Sequence, residues 1–88
     1  MPITLINIED ALRTEDIEGL IASGAPSDEY NSEAEKIAAA LASLQNNQLT
    51  ESSIIAVLAL EWAKSFNRSV QEIEQRMPAF RRIASQIL

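Results

Sequence analysis

Hydrophobic and polar positions along the chain recur with helical spacing. From residue 34 onward, apolar side chains return at intervals of three or four, as in Ala34, Ile37 and Leu41. This spacing places them on one face of an α-helix. The stretch Ile54–Leu60 is apolar without interruption, which is typical of the most central helix of a bundle. The pattern therefore predicts an all-α fold.

The last apolar stripe follows a heptad pattern. Its members, spaced alternately by three and four residues, are Val70, Ile73, Met77, Phe80, Ala84 and Ile87. Pro78 lies inside the stripe, and an interior proline removes one helical hydrogen bond. Because the stripe keeps its phase across Pro78, we expect one kinked helix. Two helices would leave Met77 as a poor cap at the restart. We favour core packing as the role of this stripe, with self-association as the alternative.

Helix start and stop signals divide the chain into four to five helices. Capping boxes, in which side chain and backbone satisfy each other, are predicted at Ser32–Glu35 and Ser69–Glu72. Asn7, Thr14 and Thr50 are further candidate caps. For Ile3, Leu5, Ile6 and Ile8, an extended arm laid across the core is the alternative to a helix. A left-handed residue after a helix is expected at Gly24 and Asn67, and an earlier start of the third helix at Ser27 is an alternative. We predict a single domain, residues 1–88, that packs as a bundle of helices at 8–13, 15–23, 28–45, 51–66 and 70–87, with a kink near Pro78.

Composition excludes most catalytic chemistry. The chain has no cysteine and no histidine, so disulfides, zinc–thiolate sites and Ser–His or Cys–His nucleophiles are excluded. Two glycines are too few for a glycine-rich phosphate loop. The acidic segment Asp28–Glu33 fails the EF-hand pattern, since Glu33 stands where the loop needs glycine. We predict no enzyme activity, no catalytic residue, no cofactor and no metal.

Charge is strongly segregated along the chain. Residues 1–35 carry nine acidic side chains against one basic, whereas residues 36–88 carry six basic against four acidic. An acidic front half repels phosphate backbones, so binding to nucleic acid is disfavoured. We expect the acids to pair with the basic C-terminal part, or else to meet a cationic partner. Candidate interface residues are Asp28, Glu29, Tyr30, Arg76, Arg81 and Arg82. For Tyr30, we favour a ring that closes the bundle edge over an interface anchor.

A helix-turn-helix arrangement is the main alternative interpretation. The segment Ala63–Ile73 has its spacing, with a turn at Phe66–Arg68. Against DNA binding, Arg68 stands where such motifs bury an apolar residue, and the second helix opens with Glu72 and Glu74. The N-terminus has no basic segment of a secretory signal, and the longest apolar run has seven residues, far fewer than the ~20 of a membrane span. We therefore predict a cytoplasmic protein with no membrane contact.

One segment resembles a known kind of protein. Gly19-Leu20, followed by Gly24-Ala25-Pro26-Ser27-Asp28-Glu29-Tyr30, is similar to a signature of small uncharacterised bacterial helical proteins. Their pattern has a proline where Ile17 stands here, and the resemblance covers about a quarter of the chain. It implies a helical bundle of bacterial origin without an assigned reaction.

The function that these observations favour is a non-enzymatic protein–protein interaction module. Its partner is another protein or a second copy, the latter through the last helix. A DNA-binding helix-turn-helix protein is the alternative, and a carboxylate-based hydrolase ranks below both.

Overall fold

The computed structural model describes residues 3–88 and is all-α, as the hydrophobic pattern predicted. Its four helices are α1 (Leu5–Glu15), α2 (Asn31–Ala42), α3 (Glu51–Ser65) and α4 (Val70–Ile87), with a 3-10 turn at Asn46–Gln48. Helix α1 packs against α2 and α4, and α3 also packs against α2 and α4. Within residues 3–88, the buried apolar side chains form one cluster between these helices.

The N-terminal part folds differently from the prediction of two short helices at 8–13 and 15–23. One helix, α1, begins after Thr4, whose side chain accepts a hydrogen bond from the N–H of Asn7. The caps predicted at Asn7 and Thr14 are therefore wrong, since both residues lie inside α1, and so is the extended arm, since residues 5–8 are helical. It ends at Glu15, and the next residue, Asp16, adopts a left-handed conformation with φ of 44°. Residues 17–24 are turns, because Asp16 and Gly19 (φ of 69°) take backbone angles that a helix cannot continue through. Gly24 does have the expected positive φ.

Helix α2 is shorter than the predicted 28–45. It begins at Asn31 with Tyr30 in the cap position, and no side chain caps it. Turns occupy the residues before it, with the N–H of Asn31 bonded to the carbonyl of Asp28 at 3.0 Å. The capping box predicted at Ser32 and Glu35 is therefore wrong, as is the alternative start at Ser27. Ser32 already lies inside the first turn, where its side chain cannot act as the cap.

The ends of α3 and α4 agree with the sequence signals. Thr50 caps α3 by accepting from the N–H of Ser53, and Ser69 caps α4 in a capping box with Glu72. Between the two helices, Asn67 has a φ of 51°. Helix α4 continues through Pro78 from Val70 to Ile87 without restarting, as the unbroken stripe predicted.

Helix α3 packs against both α2 and α4 and buries one face in the core, as expected of a central helix, but it is not covered on all sides. Ile54, Leu58 and Trp62 point into the core and are fully buried. On the opposite side, Leu60 is 61% exposed. A ring of four helices gives each helix two neighbours, which leaves an outward face uncovered. In α3 that outward face includes the apolar residues Ala56 and Leu60.

Candidate functional site

Residues 16–24 form a loop of turns after α1. Its residue Asp16 is hydrogen-bonded to Tyr30, the residue before α2. The phenol of Tyr30 donates to Oδ1 of Asp16 at 2.6 Å and accepts from the N–H of Glu18 at 3.2 Å. Asp16 also accepts from the N–H groups of Ile21 and Ala22, at 3.1 and 2.9 Å. One carboxylate and one phenol thus satisfy much of the loop backbone.

The hydrogen bond between Tyr30 and Asp16 shifts the pKa values of both groups. The hydrogen bond from Tyr30 lowers the pKa of Asp16. Burial, followed by the hydrogen bond to Asp16, raises the pKa of Tyr30 to about 12. Tyr30 is only 1% exposed, and its ring stacks on that of Trp62 with centroids 5.8 Å apart. This is the bundle-closing ring that the sequence favoured over an interface anchor.

Glu18 is the centre of a second polar cluster, formed with Trp62, Arg68 and Arg76. Its side chain is 4% exposed. Oε2 accepts from the indole Nε1 of Trp62 at 2.7 Å and from Nε of Arg76 at 2.7 Å. Oε1 accepts from both Arg76, at 3.1 Å, and Arg68. A single carboxylate from the loop therefore connects α3, the turn after it and α4.

Electrostatics stabilise the charged form of Glu18. Burial alone would raise its pKa, but the hydrogen bonds from Arg76, Trp62 and Arg68 outweigh burial and lower the pKa to about 2. The same contact with Glu18 raises the pKa of Arg76. Glu18 stays ionised at neutral pH, and its oxygens are occupied by donors of the protein itself. Such a group has a structural role rather than that of a proton donor or acceptor for a substrate.

Acidic residues of the first part of the chain pair with arginines of the last part. Besides the Glu18 cluster, Glu15 accepts from Arg82 through Nε and Nη2, at 3.1 and 2.9 Å. The segregated charge of the sequence is thus partly neutralised within the fold, as one of its two interpretations expected.

The candidate interface residues do not form one surface. Asp28 and Glu29 are exposed in the turns before α2, whereas Tyr30 is buried beneath them. Arg76 and Arg82 are held by Glu18 and Glu15. Arg81 is exposed, and within residues 3–88 it forms no ion pair. Whether any of them contacts a partner stays a prediction.

The helix-turn-helix segment consists of the end of α3 and the start of α4, joined by Phe66–Ser69. Its arginines form ion pairs within the protein. Arg68 binds Glu18 and, at 3.2 Å, Glu72, and Arg76 binds Glu18. Because their charges are already paired, these two arginines offer little attraction to a phosphate backbone.

An apolar groove lies between α3 and α4 on the outer side of the bundle. Its volume is about 380 Å³, and it is lined by Ala59, Leu60, Ala63, Arg68, Val70, Ile73, Glu74 and Met77. Two of the lining residues protrude into solvent: Leu60 is 61% exposed and Val70 is 76% exposed. Among residues 3–88 these are two of the five large hydrophobic side chains that are exposed.

Sequence reasoning missed this groove, although two signals were present. The all-round apolar stretch of α3 supplies more apolar faces than a bundle with two neighbours per helix can cover. The heptad stripe of α4 divides in the structure: Phe80, Ala84 and Ile87 are buried, whereas Val70 is mostly exposed. Its first half therefore lines the groove, with Ile73 and Met77 also packed against the core, whereas its second half is buried in the core.

A smaller pocket of about 200 Å³ lies where α1, α2 and the residues after α2 meet, beside Ile8, Leu41 and Leu44. It has fewer exposed apolar side chains around it, since of its lining residues Ile8 and Leu41 belong to the buried core. In the described part of the chain, no three acidic side chains come together as a metal site would need.

Comparison with known proteins gives no relative: no protein-family model, no curated protein and no solved structure matches the chain. The resemblance of Gly19–Tyr30 to small bacterial helical proteins stays a prediction. None of the helices between residues 3 and 88 combines the length and apolar character that crossing a bilayer demands.

Proposed function

We propose that this protein is a non-enzymatic protein–protein interaction module that binds its partner through the groove between α3 and α4. The observation that carries the proposal is the exposure of Leu60 and Val70 beside an apolar groove of about 380 Å³. Contiguous apolar surface on a small protein marks an interaction site far more often than scattered exposed residues do.

The energetics favour covering this groove. Full burial of an aliphatic side chain contributes about 1.5–3 kcal/mol, and Leu60 and Val70 have most of that contribution still to gain. A groove between two helices fits an amphipathic helix, which inserts apolar side chains spaced by three or four residues. The partner we propose therefore presents a helix, either from another protein or from a second copy.

The polar clusters support a role outside catalysis. Asp16 and Glu18 are the most highly connected carboxylates of the described chain, and both bind the protein's own donors. The groove, in turn, is lined mainly by aliphatic side chains, with Glu74 and Arg68 as its charged members. From the resemblance of Gly19–Tyr30 to bacterial proteins, we further propose that the module acts in the bacterial cytoplasm.

Affinity capture with groove variants tests the proposal. Wild type, Leu60→Glu and Val70→Glu are used as baits in the cells that naturally produce the protein, with Ile6→Glu as the matched control. Ile6 is 67% exposed on α1 and does not line the groove. We expect partners that both groove variants lose and that Ile6→Glu retains. If all four baits capture the same proteins in the same amounts, the groove is not the binding site.

A further inference from the structure

One face of α4 carries the groove's apolar residues together with two opposite charges. Val70, Glu74, Met77 and Arg81 are spaced by four, three and four residues, so they follow one line along the helix. Val70, Glu74 and Arg81 are exposed, and Met77 is partly exposed. Between residues 3 and 88, neither Glu74 nor Arg81 has an ion-pair partner. These two charges are available for a binding partner.

Glu74 and Arg81 are placed symmetrically about one point of α4. Glu74 lies three residues before Met77 and Arg81 lies four residues after it, so the two charges are equidistant from the bond between Met77 and Pro78. When two copies of a helix pack antiparallel about a two-fold axis, residues equidistant from the axis face each other. Glu74 of each copy would then meet Arg81 of the other, giving two identical ion pairs beside the Met77 side chains.

From this complementarity we infer that the occupant of the groove is a second copy of the chain, with its α4 packed antiparallel on α4. This inference rests on the proposed function of the groove and names its partner. The dimer would also cover Val70 and Leu60, which are the most exposed apolar residues at the groove.

Charge on the other helices agrees with contact through α4. The protein has a formal net charge of −6, so two copies repel each other over most of their surfaces. Of the four helices described, α4 alone has more basic residues, three arginines, than acidic residues, two glutamates. Arg76 and Arg82 are paired with Glu18 and Glu15, and Glu72 with Arg68, so within residues 3–88 the unpaired charges of α4 are Glu74 and Arg81, which cancel. Two copies therefore meet no net repulsion along α4.

The size of the surface sets the expected affinity. Two neighbouring helices offer a small area, below the standard interface of about 1,600 Å² in total, and small interfaces are commonly weak. We expect a dissociation constant in the micromolar range, so that the dimer is populated at about 100 µM and at low salt, where ion pairs are less screened.

Reversing the charges at positions 74 and 81 tests the inference, and sedimentation velocity measures the self-association of each variant. Glu74→Arg and Arg81→Glu each turn the two pairs repulsive, and we expect each to weaken self-association about tenfold or more. Mixed in equal amounts, the two variants should form a heterodimer, because position 74 of one is then opposite in charge to position 81 of the other. The double variant E74R/R81E should self-associate as the wild type does.

Controls separate this inference from folding and from the proposed function. Glu35→Arg, an exposed change on α2 with the same charge difference as Glu74→Arg, should leave dimerisation unaltered. Circular dichroism melting should show each variant folded as the wild type. The inference is overturned if the wild type is monomeric at about 100 µM, or if the mixture of single variants does not associate. In either case, loss of captured proteins by Val70→Glu would still support binding of a different protein, and the proposed function would stand.

Discussion

Glu18 and Trp62 are 44 residues apart in the chain, yet the indole Nε1 of Trp62 donates a hydrogen bond of 2.7 Å to Oε2 of Glu18. The indole ring is fully buried, and it packs against Phe66 with centroids 4.7 Å apart and against Phe80 at 6.0 Å. The contact joins the loop before α2 to the aromatic centre of the core. Removing it should affect the whole fold rather than one helix end.

Glu18→Gln should lower the free energy of unfolding by about 3–5 kcal/mol. The variant keeps the size of the side chain but leaves Arg76 without its carboxylate and Arg68 with Glu72 alone, and removing one partner of a largely buried ion pair is costly. Urea unfolding followed by Trp62 fluorescence measures the change. Glu15→Gln is the matched control: its partner Arg82 is 61% exposed, so we expect a loss of about 1 kcal/mol or less. Equal losses in the two variants would contradict a central role for Glu18.

Stability should fall in acid because of the same group. The pKa of Glu18 is about 2 in the folded protein, below its ordinary value of 4.5. A lowered pKa contributes stability that is present above about pH 4.5 and is lost as the pH falls toward 2. The difference in unfolding free energy between wild type and Glu18→Gln should therefore shrink across this window. A difference that stays constant from pH 6 to about 2 would show that the charge of Glu18 contributes little.

The hydroxyl of Tyr30 should lose its proton at a higher pH than that of an ordinary tyrosine. It is the only tyrosine of the chain, so absorbance at alkaline pH reports this residue alone. We expect a midpoint near pH 12 in the folded protein, against the ordinary pKa of 10.0, and a midpoint near 10 after unfolding in urea. Because its folded pKa is raised, the stability that it contributes is complete below pH 10 and is lost as the pH rises to 12.

Replacing the Tyr30 hydroxyl gives an independent check of the loop contacts. Tyr30→Phe keeps the ring against Trp62 but removes the donor to Asp16 and the acceptor for the N–H of Glu18. We expect a loss of about 1–3 kcal/mol, since the N–H of Glu18 loses its acceptor and Oδ1 of the partly buried Asp16 loses one of its two donors. A loss below about 0.5 kcal/mol would mean that water replaces the hydroxyl without cost.

Two serines in similar sequence contexts should differ in their effect on stability. Ser69→Ala removes the cap of α4 and should cost about 1 kcal/mol. Ser32→Ala, in a matching Ser-x-x-Glu context, should change stability by less than about 0.5 kcal/mol, because Ser32 caps no helix in the structure. Thermal melting of the two variants distinguishes them. Equal costs would indicate that the box at Ser32 forms after all.

The sequence alone predicted several features that depend on local signals. Thr50, Ser69 and Asn67 specify helix ends within a few residues of themselves, and all three do so in the structure. The box at Ser32 failed because α2 begins at Asn31, directly after Tyr30, whose hydroxyl makes a distant contact with Asp16. A pattern that spans four residues cannot contain that contact.

The candidate site was harder to predict for the same reason. Glu18 is one of nine acidic residues in the first 35, and nothing in its neighbourhood marks it as the one that enters the core. Its partners come from 44 to 58 residues further along. The groove depends on which helices are neighbours, and hydrophobic periodicity shows only that a face is apolar, not whether another helix covers it.

Photocrosslinking at position 70 is the most direct test of the central claim that the groove between α3 and α4 is a protein-binding surface. A photoreactive amino acid replaces Val70 in cells that naturally produce the protein, and a second strain carries it at Ile6, which is similarly exposed but lies on α1. We expect a discrete crosslinked species, either a dimer or a complex with another protein, from position 70 and far less from position 6. If position 70 gives no more crosslinked product than position 6, the groove faces only water and the account is contradicted.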